Sequence, residues 1–380
     1  MVVSIKDGFR LIGVAIVTFC AVFVCTFFLN FYLDAVKIKT TINDPDVMVL
    51  YNAQITTAKF TCAISGVFLA LIAIVMLIFY IKLYIDGNAK QLGVFKALGY
   101  SDVKMALRFA VFGLSVFTGT AIGFGSGYAI MPVIYKNMTI EGLPEIAISF
   151  HAELLFALVI APTVIFSALA CLYAYCALRK PVCDMLRGKT EIKIKKFKEK
   201  VEKERSFLKE MCFKTLGARK SLAFFVAFAC FCFSAMVQMS VSMLDLSSAT
   251  MGGIILAIGA VLAATTLFMA ITSLVNGNVK NIAVMKAFGY SLKECSLTVL
   301  GGYRVFALIG FAAGTVYQFV LLKIMVGIVY KNINSVPDYN FEVSVFFITL
   351  AIFIVFYEAV MLLYTYKISK VSVKEVMTEN

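Results

Sequence analysis

Gly87-Asn88-Ala89-Lys90-Gln91-Leu92-Gly93-Val94-Phe95-Lys96-Ala97-Leu98-Gly99-Tyr100-Ser101-Asp102 recurs further along the chain as Gly277-Asn278-Val279-Lys280-Asn281-Ile282-Ala283-Val284-Met285-Lys286-Ala287-Phe288-Gly289-Tyr290-Ser291-Leu292. The alignment needs no gap. Gly87, Asn88, Lys90, Val94, Lys96, Ala97, Gly99, Tyr100 and Ser101 fall on identical residues in the second copy. The segment is polar in a chain that is otherwise mostly apolar, so shared hydrophobicity does not account for the match. Internal repeats decide architecture, and this one makes the chain a tandem duplication.

Outward from that segment the composition is that of a membrane protein. Hydrophobic residues make up 61% of the 380 and charged residues 15%, with a mean hydropathy of +0.92. These values lie outside the soluble globular range, and apolar runs of about twenty residues are long enough to span a bilayer. The net charge of +13 does not point to nucleic acid. Its Lys and Arg residues cluster at the ends of apolar runs, as expected of loops on the cytoplasmic side, where they meet anionic lipid headgroups.

Eight spans follow from the pattern. The basic stretch Met1 to Arg10 precedes a first span, Leu11 to Leu33, with no small-residue cleavage site, so the N-terminus is expected inside. A polar outer loop, Asp34 to Lys59, carries the turn signal Asn43-Asp44-Pro45-Asp46. Further spans are expected over Phe60–Ile85, Met105–Val133, Glu153–Leu178, Leu222–Met243, Gly253–Leu274, Leu297–Val326 and Val343–Tyr366. The C-terminus is then also cytoplasmic. Four spans per half give the repeats the same orientation, related by an axis along the membrane normal. The chain divides into a first repeat, 1–188, a charged linker helix, 189–211, and a second repeat, 212–380. The linker alternates Lys and Glu at helical spacing, as in Lys195, Lys196, Glu199, Lys200 and Lys203, which suits a solvated connector at the inner face. Within the third span Gly119, Gly123 and Gly127 form a small-residue stripe expected to admit a neighbouring helix.

Side chains that could carry chemistry are few. Six of the ten cysteines sit in apolar runs and the rest on or near the inner side, so no structural disulfide is expected. The single histidine, His151, reads as an interfacial residue at an outer membrane edge, and no Cys/His spacing resembles a metal site. Gly188-Lys189-Thr190 resembles the end of a phosphate-binding loop. The required glycine five residues earlier is Cys183, and no strand precedes it. Arg304 and Glu358 lie at similar depth in the last two spans, and the equivalent positions of the first half are Leu114 and Ala168. A lone charge in hydrocarbon costs roughly 2.5–3.5 kcal/mol on insertion scales, so an intramembrane ion pair between them is expected, chiefly as a structural lock. Lys323, near the outer end of its span, is expected to snorkel.

A polar segment present twice at one membrane face suits a docking surface better than a loop cap or a ligand site. Val94 to Leu98 followed by Gly99 reads as a short amphipathic helix with a glycine C-cap. Its second copy reads the same way, and both would fit a helix-in-groove contact with a partner that is itself two-fold. Leu92-Gly93-Val94-Phe95-Lys96-Ala97-Leu98-Gly99-Tyr100-Ser101 resembles the cytoplasmic segment of FtsX-like (MacB-type) ABC transporter permeases, which runs Ile-Gly-Ile-Leu-Arg-Ala-Leu-Gly-Ala-Ser. The copy from Ile282 to Ser291 resembles it too, with Ala283 for the first glycine. The family's Pro-x-x-x-Leu-Arg tail is matched by Pro181 to Arg187, and more weakly by Lys370 to Met377, which lacks the Pro and Arg.

The resemblance implies an all-α polytopic fold of two parallel four-helix repeats, in the bacterial plasma membrane. It implies a permease subunit of an ABC transporter, not itself an enzyme, with no cofactor of its own. ATP would be bound by a separate cytoplasmic ABC ATPase dimer, whose hydrolysis drives export or extraction of an amphiphile such as a peptide, lipid or antimicrobial. Docking would use Lys90, Val94, Phe95, Lys96, Leu98, Gly99 and Tyr100, and in the second copy Lys280, Val284, Met285, Lys286, Phe288, Gly289 and Tyr290. Lys96 and Lys286 would face acidic groups of the ATPase. An accessory extracellular or membrane subunit is compatible with the pattern. The family's large outer domain after span one has no counterpart, since only Asp34 to Lys59 occupies that place. Two other readings stay open: an ATP-driven regulator acting on an extracellular partner, and an ion-driven secondary transporter.

Overall fold

The computed structural model describes residues 12–38, 45–138, 146–186, 211–212, 216–217, 220–246, 249–291, 294–295, 298, 301–329 and 341–369. Among these the ordered elements are helices, with no strand. In chain order they are α1 (Ile12–Ile38), α2 (Pro45–Gly87), α3 (Ala89–Ala97), α4 (Asp102–Leu107), α5 (Phe112–Met138) and α6 (Ala152–Leu178). They continue with α7 (Val182–Leu186), α8 (Lys220–Leu246), α9 (Ala249–Ala287), α10 (Tyr303–Val329) and α11 (Val343–Ser369). Among the described residues, eight helices are long and apolar enough to cross a membrane: α1, α2, α5 with α4 before it, α6, α8, α9, α10 and α11. Their outward side chains, such as Leu114, Ile122, Val164, Leu172, Leu308, Val316, Ile348 and Leu362, are apolar, as a lipid-facing surface requires. Two compact units are formed, one from residues 1–188, 240–258 and 319–341, the other from 189–239, 259–318 and 342–380.

In the first unit α1 is the central helix, packed on both α2 and α5. The glycine stripe brings α5 onto it. A Cβ at Gly119 would collide with the Ala15 carbonyl and one at Gly123 with the Phe19 carbonyl, while Gly127 sits against Thr26. Close backbone approach of this kind is how helices associate where lipid offers no hydrophobic drive. The second unit repeats the device on α8 and α10, where Gly310 meets Ala227 and Gly314 meets Phe231 and Ser234. Phe233, Phe311 and Phe353 fill the space beside it. Next to them Gln238 Nε2 donates to Ser234 Oγ at 3.0 Å and to Thr315 Oγ1 at 2.9 Å, a buried polar tie.

The polar loop expected from Asp34 to Lys59 is mostly helix. α1 runs on to Ile38 and α2 starts at Pro45, so α2 extends well outside its apolar part. The reason is packing. Met48, Tyr51, Ile55, Ala58 and Cys62 recur at helical spacing and close over Phe27, Phe28 and Phe31 of α1. Tyr51 Oη donates to the Ala35 carbonyl at 2.9 Å, and Lys59 lies over the Tyr32 ring. α6 contains a π turn at Phe156–Ile160, just before Ala161-Pro162, where the proline removes a ladder donor. The charged linker up to residue 210, residues 139–145 and 330–340 and the C-terminal tail from residue 370 lie outside the described residues.

Candidate functional site

The repeated segment forms an elbow between a span and the span that follows it. In the first copy the helical ladder continues from α2 into α3 across Asn88: the Asn88 amide donates to Tyr84 O at 3.0 Å and the Leu92 amide to Asn88 O at 3.0 Å. In the second copy α9 runs unbroken from Ala249 to Ala287. The short helix expected over Val94 to Leu98 is therefore the tip of a long transmembrane helix. Neither Gly87-Asn88 nor Gly277-Asn278 stops it, because the Asn side chain turns back onto the helix. Asn88 Nδ2 donates to Tyr84 O, and Asn278 Nδ2 to Leu274 O, each at 2.9 Å.

Both tips end alike. Gly99 has φ +89° and Gly289 φ +86°. The Gly99 amide donates to Lys96 O and the Tyr100 amide to Phe95 O, both at 3.1 Å. In the second copy the Gly289 amide donates to Lys286 O at 3.0 Å and the Tyr290 amide to Met285 O at 3.2 Å. These are Schellman caps, in which glycine takes the left-handed position. Tyr100 packs its ring edge-on to Phe95. Beyond the caps the chain turns and restarts: Ser101 Oγ accepts from the Lys104 amide to begin α4. At the second elbow Ser291 and Glu294 form a reciprocal capping box, with Ser291 N and Oγ donating to Glu294 Oε2 at 2.9 and 2.8 Å. These two donors hold the Glu294 carboxyl below its usual range.

The elbow sorts its side chains into a buried and an exposed set. Leu92 and Ile282 are buried, and so is Met285, which the sequence reading placed on the docking surface. Phe95 is half-buried. Exposed are Val94, Leu98 and Tyr100, with Val103 and Leu107 of α4 beside them, and in the second copy Val284 and Phe288. Leu98 is 71% and Phe288 77% exposed at equivalent positions. Lys90 is exposed, and the side chain of Lys280 lies outside the described set.

Lys96 corrects an expectation. Its Nζ donates to the Leu178 carbonyl at 2.8 Å and the Lys180 carbonyl at 3.1 Å, and pairs with Asp102 Oδ1 at 2.7 Å. It therefore turns inward onto the last carbonyl of α6 and that of Lys180 just past its end, where the helix leaves acceptors unpaired and the dipole favours a cation. α7, from the Pro181 tail, packs against α3 on the same side, and Lys180 Nζ lies 4.0 Å from Asp86 Oδ1. In the second copy the Asp102 position is Leu292.

Arg304 and Glu358 are brought together, Arg304 Nη2 donating to Glu358 Oε2 at 2.7 Å. α10 begins at Tyr303, after a turn at 301–302, so Arg304 stands in its first turn, and the two side chains are 46% and 37% exposed. Lys323 leans over the Phe319 ring.

A second polar cluster went unread in the sequence. At the end of the first repeat away from the elbow, the Asp34 side chain is 1% exposed. Its Oδ1 lies 2.9 Å from His151 Nε2 and 3.4 Å from Lys37 Nζ. Its Oδ2 accepts from Asn30 Nδ2 at 2.8 Å and from Tyr135 Oη and the Ser149 amide, both at 3.2 Å. Tyr128 Oη donates to Asn30 Oδ1 at 2.7 Å and accepts from the His151 amide at 3.2 Å. His151 is thus one member of a buried cluster and more than an interfacial residue. Asp34 closing the first apolar run and an aromatic-rich third span were the only traces in sequence. No group of side chains among the described residues is arranged to hold a metal ion.

No curated protein and no solved structure matches the chain at a significant level. A family model, FtsX-like permease C-terminal, matches residues 63–182 and again residues 253–373. Each match contains one elbow, starting inside or near the start of the long helix before it and ending just past the second span after it. Because the two matches together take in more than half of the residues, the chain belongs to the FtsX-like permease family.

Proposed function

We propose that this ABC transporter permease subunit docks a separate cytoplasmic ATPase dimer through its two elbows and converts ATP-driven closure of that dimer into movement of α2 and α9. The observation that carries the reading is the pair of exposed apolar tips, Leu98 and Phe288, held at equivalent places by the same glycine cap. Exposed apolar side chains beside exposed lysine at a membrane boundary fit insertion into a groove of a soluble partner. Two copies in one chain match a two-fold partner with one permease chain per ATPase dimer. The elbows then face the cytoplasm, as do both termini, in a bacterial plasma membrane. The chain has no cofactor of its own. The cargo is an amphiphile moved outward, and membrane lipids contact the apolar faces.

The test is co-purification from gently solubilised membranes. Leu98→Asp with Phe288→Asp changes only exposed side chains, so the variant folds and inserts as the wild type does. An ATPase retained by the wild type and lost from this variant is the expected result; equal retention by both refutes elbow docking. The long outer part of α2 favours a second reading, in which the same motion acts on an extracellular partner. An outer protein co-purifying with the chain, and lost when residues 45–59 are altered, would select it.

A further inference from the structure

We propose that the Arg304–Glu358 pair binds the headgroup of a phospholipid that carries both a phosphate and a primary amine, of the phosphatidylethanolamine type. The pair lies on the open surface of the second unit, its side chains 46% and 37% exposed. Among the described residues each charged group has the other as its only polar partner, through Arg304 Nη2 and Glu358 Oε2 at 2.7 Å. A guanidinium has five N–H donors and a carboxylate about four acceptor sites, so most of both sets stays open at the surface.

The surroundings of the pair are apolar and exposed. Leu308 and Ile309 of α10 and Ile354 and Val355 of α11 lie one helical turn from it and are 46–69% exposed. Behind them Phe311 and Phe353 hold the two helices together, their rings 4.9 Å apart. Arg304 stands at the start of the apolar stretch Tyr303–Ile324 and Glu358 towards the end of Val343–Leu363. The pair is thus at the level where a span leaves the hydrocarbon and meets headgroups, and the four apolar side chains form a track from it into the membrane. Open donors and acceptors beside hydrocarbon need partners. A lipid whose chains lie on the track places its headgroup on the pair.

The charge pattern selects the headgroup. The pair is net neutral, so a net-anionic headgroup that gains from Arg304 is repelled by Glu358. A phosphate with a primary ammonium beside it satisfies both, the phosphate accepting from the guanidinium fork and the ammonium donating to the carboxylate. A choline headgroup offers the phosphate, but its quaternary nitrogen has no N–H to donate. In the first repeat a Cβ at Gly113 of α5 would collide with Ser167 of α6. These are the places of Tyr303 and Tyr357, and the residues next to them are Leu114 and Ala168. The same crossing of helices is therefore built there with apolar residues in place of the pair. The inference rests on the chain spanning a membrane and not on ATPase docking at the elbows.

Native mass spectrometry of the full-length protein reads the site, after the protein is stripped of lipid and offered phosphatidylethanolamine, phosphatidylcholine and phosphatidylglycerol in equal amounts. As its first bound lipid the wild type is expected to retain phosphatidylethanolamine about threefold over either of the others, the scale of a half-exposed ion pair. Arg304→Leu with Glu358→Ala, which installs the first repeat's residues, is expected to retain the three equally. Glu358→Gln, which keeps the shape and the guanidinium, is expected to move the preference to phosphatidylglycerol. Wild-type retention without preference overturns the proposal, and so does a preference that the double variant keeps. If the double variant misfolds, Glu358→Gln decides, and an unchanged preference there overturns the proposal. Soluble glycerophosphoethanolamine at the same concentration is expected not to displace the lipid, because it has no chains to lie on the track. Displacement by it overturns the assignment to a lipid.

Discussion

At Gly99 and Gly289 the backbone angle, not space, is what requires glycine: nothing lies within 4 Å of a Cβ built at either. An L-residue in this left-handed region costs about 1–2 kcal/mol, less for Asn. Gly99→Ala is therefore expected to lower local elbow stability by that amount, and Gly99→Asn by less, measured as amide protection at Tyr100. Lys96 poses a different case, since its ammonium serves two carbonyls and a carboxylate at once. Lys96→Met should lower the stability of the elbow by about 1.5–3 kcal/mol, the range for hydrogen bonds to a charged group, while Lys96→Arg retains most of it. Protection of 89–97 measures this. The glycines were legible because glycine after a helical run has one common meaning. Lys96 was not, because its acceptors lie 82 and 84 residues away. The Asp34–His151 contact spans 117 residues, and neither residue carries a local pattern that names the other.

Between helices the glycine stripe supplies a sharper comparison. Gly123→Leu would drive a side chain into the Phe19 backbone, whereas Gly125→Ala meets nothing within 4 Å. Overpacking of this kind destabilises by about 1–3 kcal/mol. The first variant should lose that much in detergent-based thermal unfolding and the second should be near neutral. The Arg304–Glu358 pair, in direct contact, should show a coupling of about 0.5–3 kcal/mol in a double-mutant cycle. The sequence held a reason for the pair, since two charges present in only one half need each other. It did not show the turn before Tyr303, which an apolar run from Leu297 hides. It also mistook polar composition for a loop at the start of α2, where a few apolar residues at helical spacing were enough to keep the helix going. Span number and order, by contrast, follow from apolar length alone and were read without help from structure.

Taken over the whole chain, the duplication has not produced two equal halves. The first elbow is fastened by Lys96 to Asp102 and to the end of α6, while the second restarts through the Ser291–Glu294 capping box. A carboxyl held below its usual value near 4.5 contributes above that pH, and the contribution is lost as pH falls below it. Acidification from pH 6 to about 3.5 is therefore expected to expose amides 290–295 before amides 100–105, as hydrogen exchange would record. The first repeat carries the Asp34 cluster at its elbow-distal end, and the second carries the Arg304–Glu358 pair, where the first has Leu114 and Ala168 at the equivalent positions. A symmetric push on the two elbows would therefore meet different resistance in each.

The length of α2 has its own consequence. Its 43 residues, at 1.5 Å each, make a rod of about 64 Å, roughly twice the hydrocarbon thickness of a bilayer. A rod of that length, turned at its elbow tip, multiplies angle into travel. Each degree of tilt moves its far end by about 1 Å, so a tilt of about five degrees carries Pro45 roughly 6 Å sideways. Small rotations at the elbow thereby become displacements the width of a side chain at the far end of the helix.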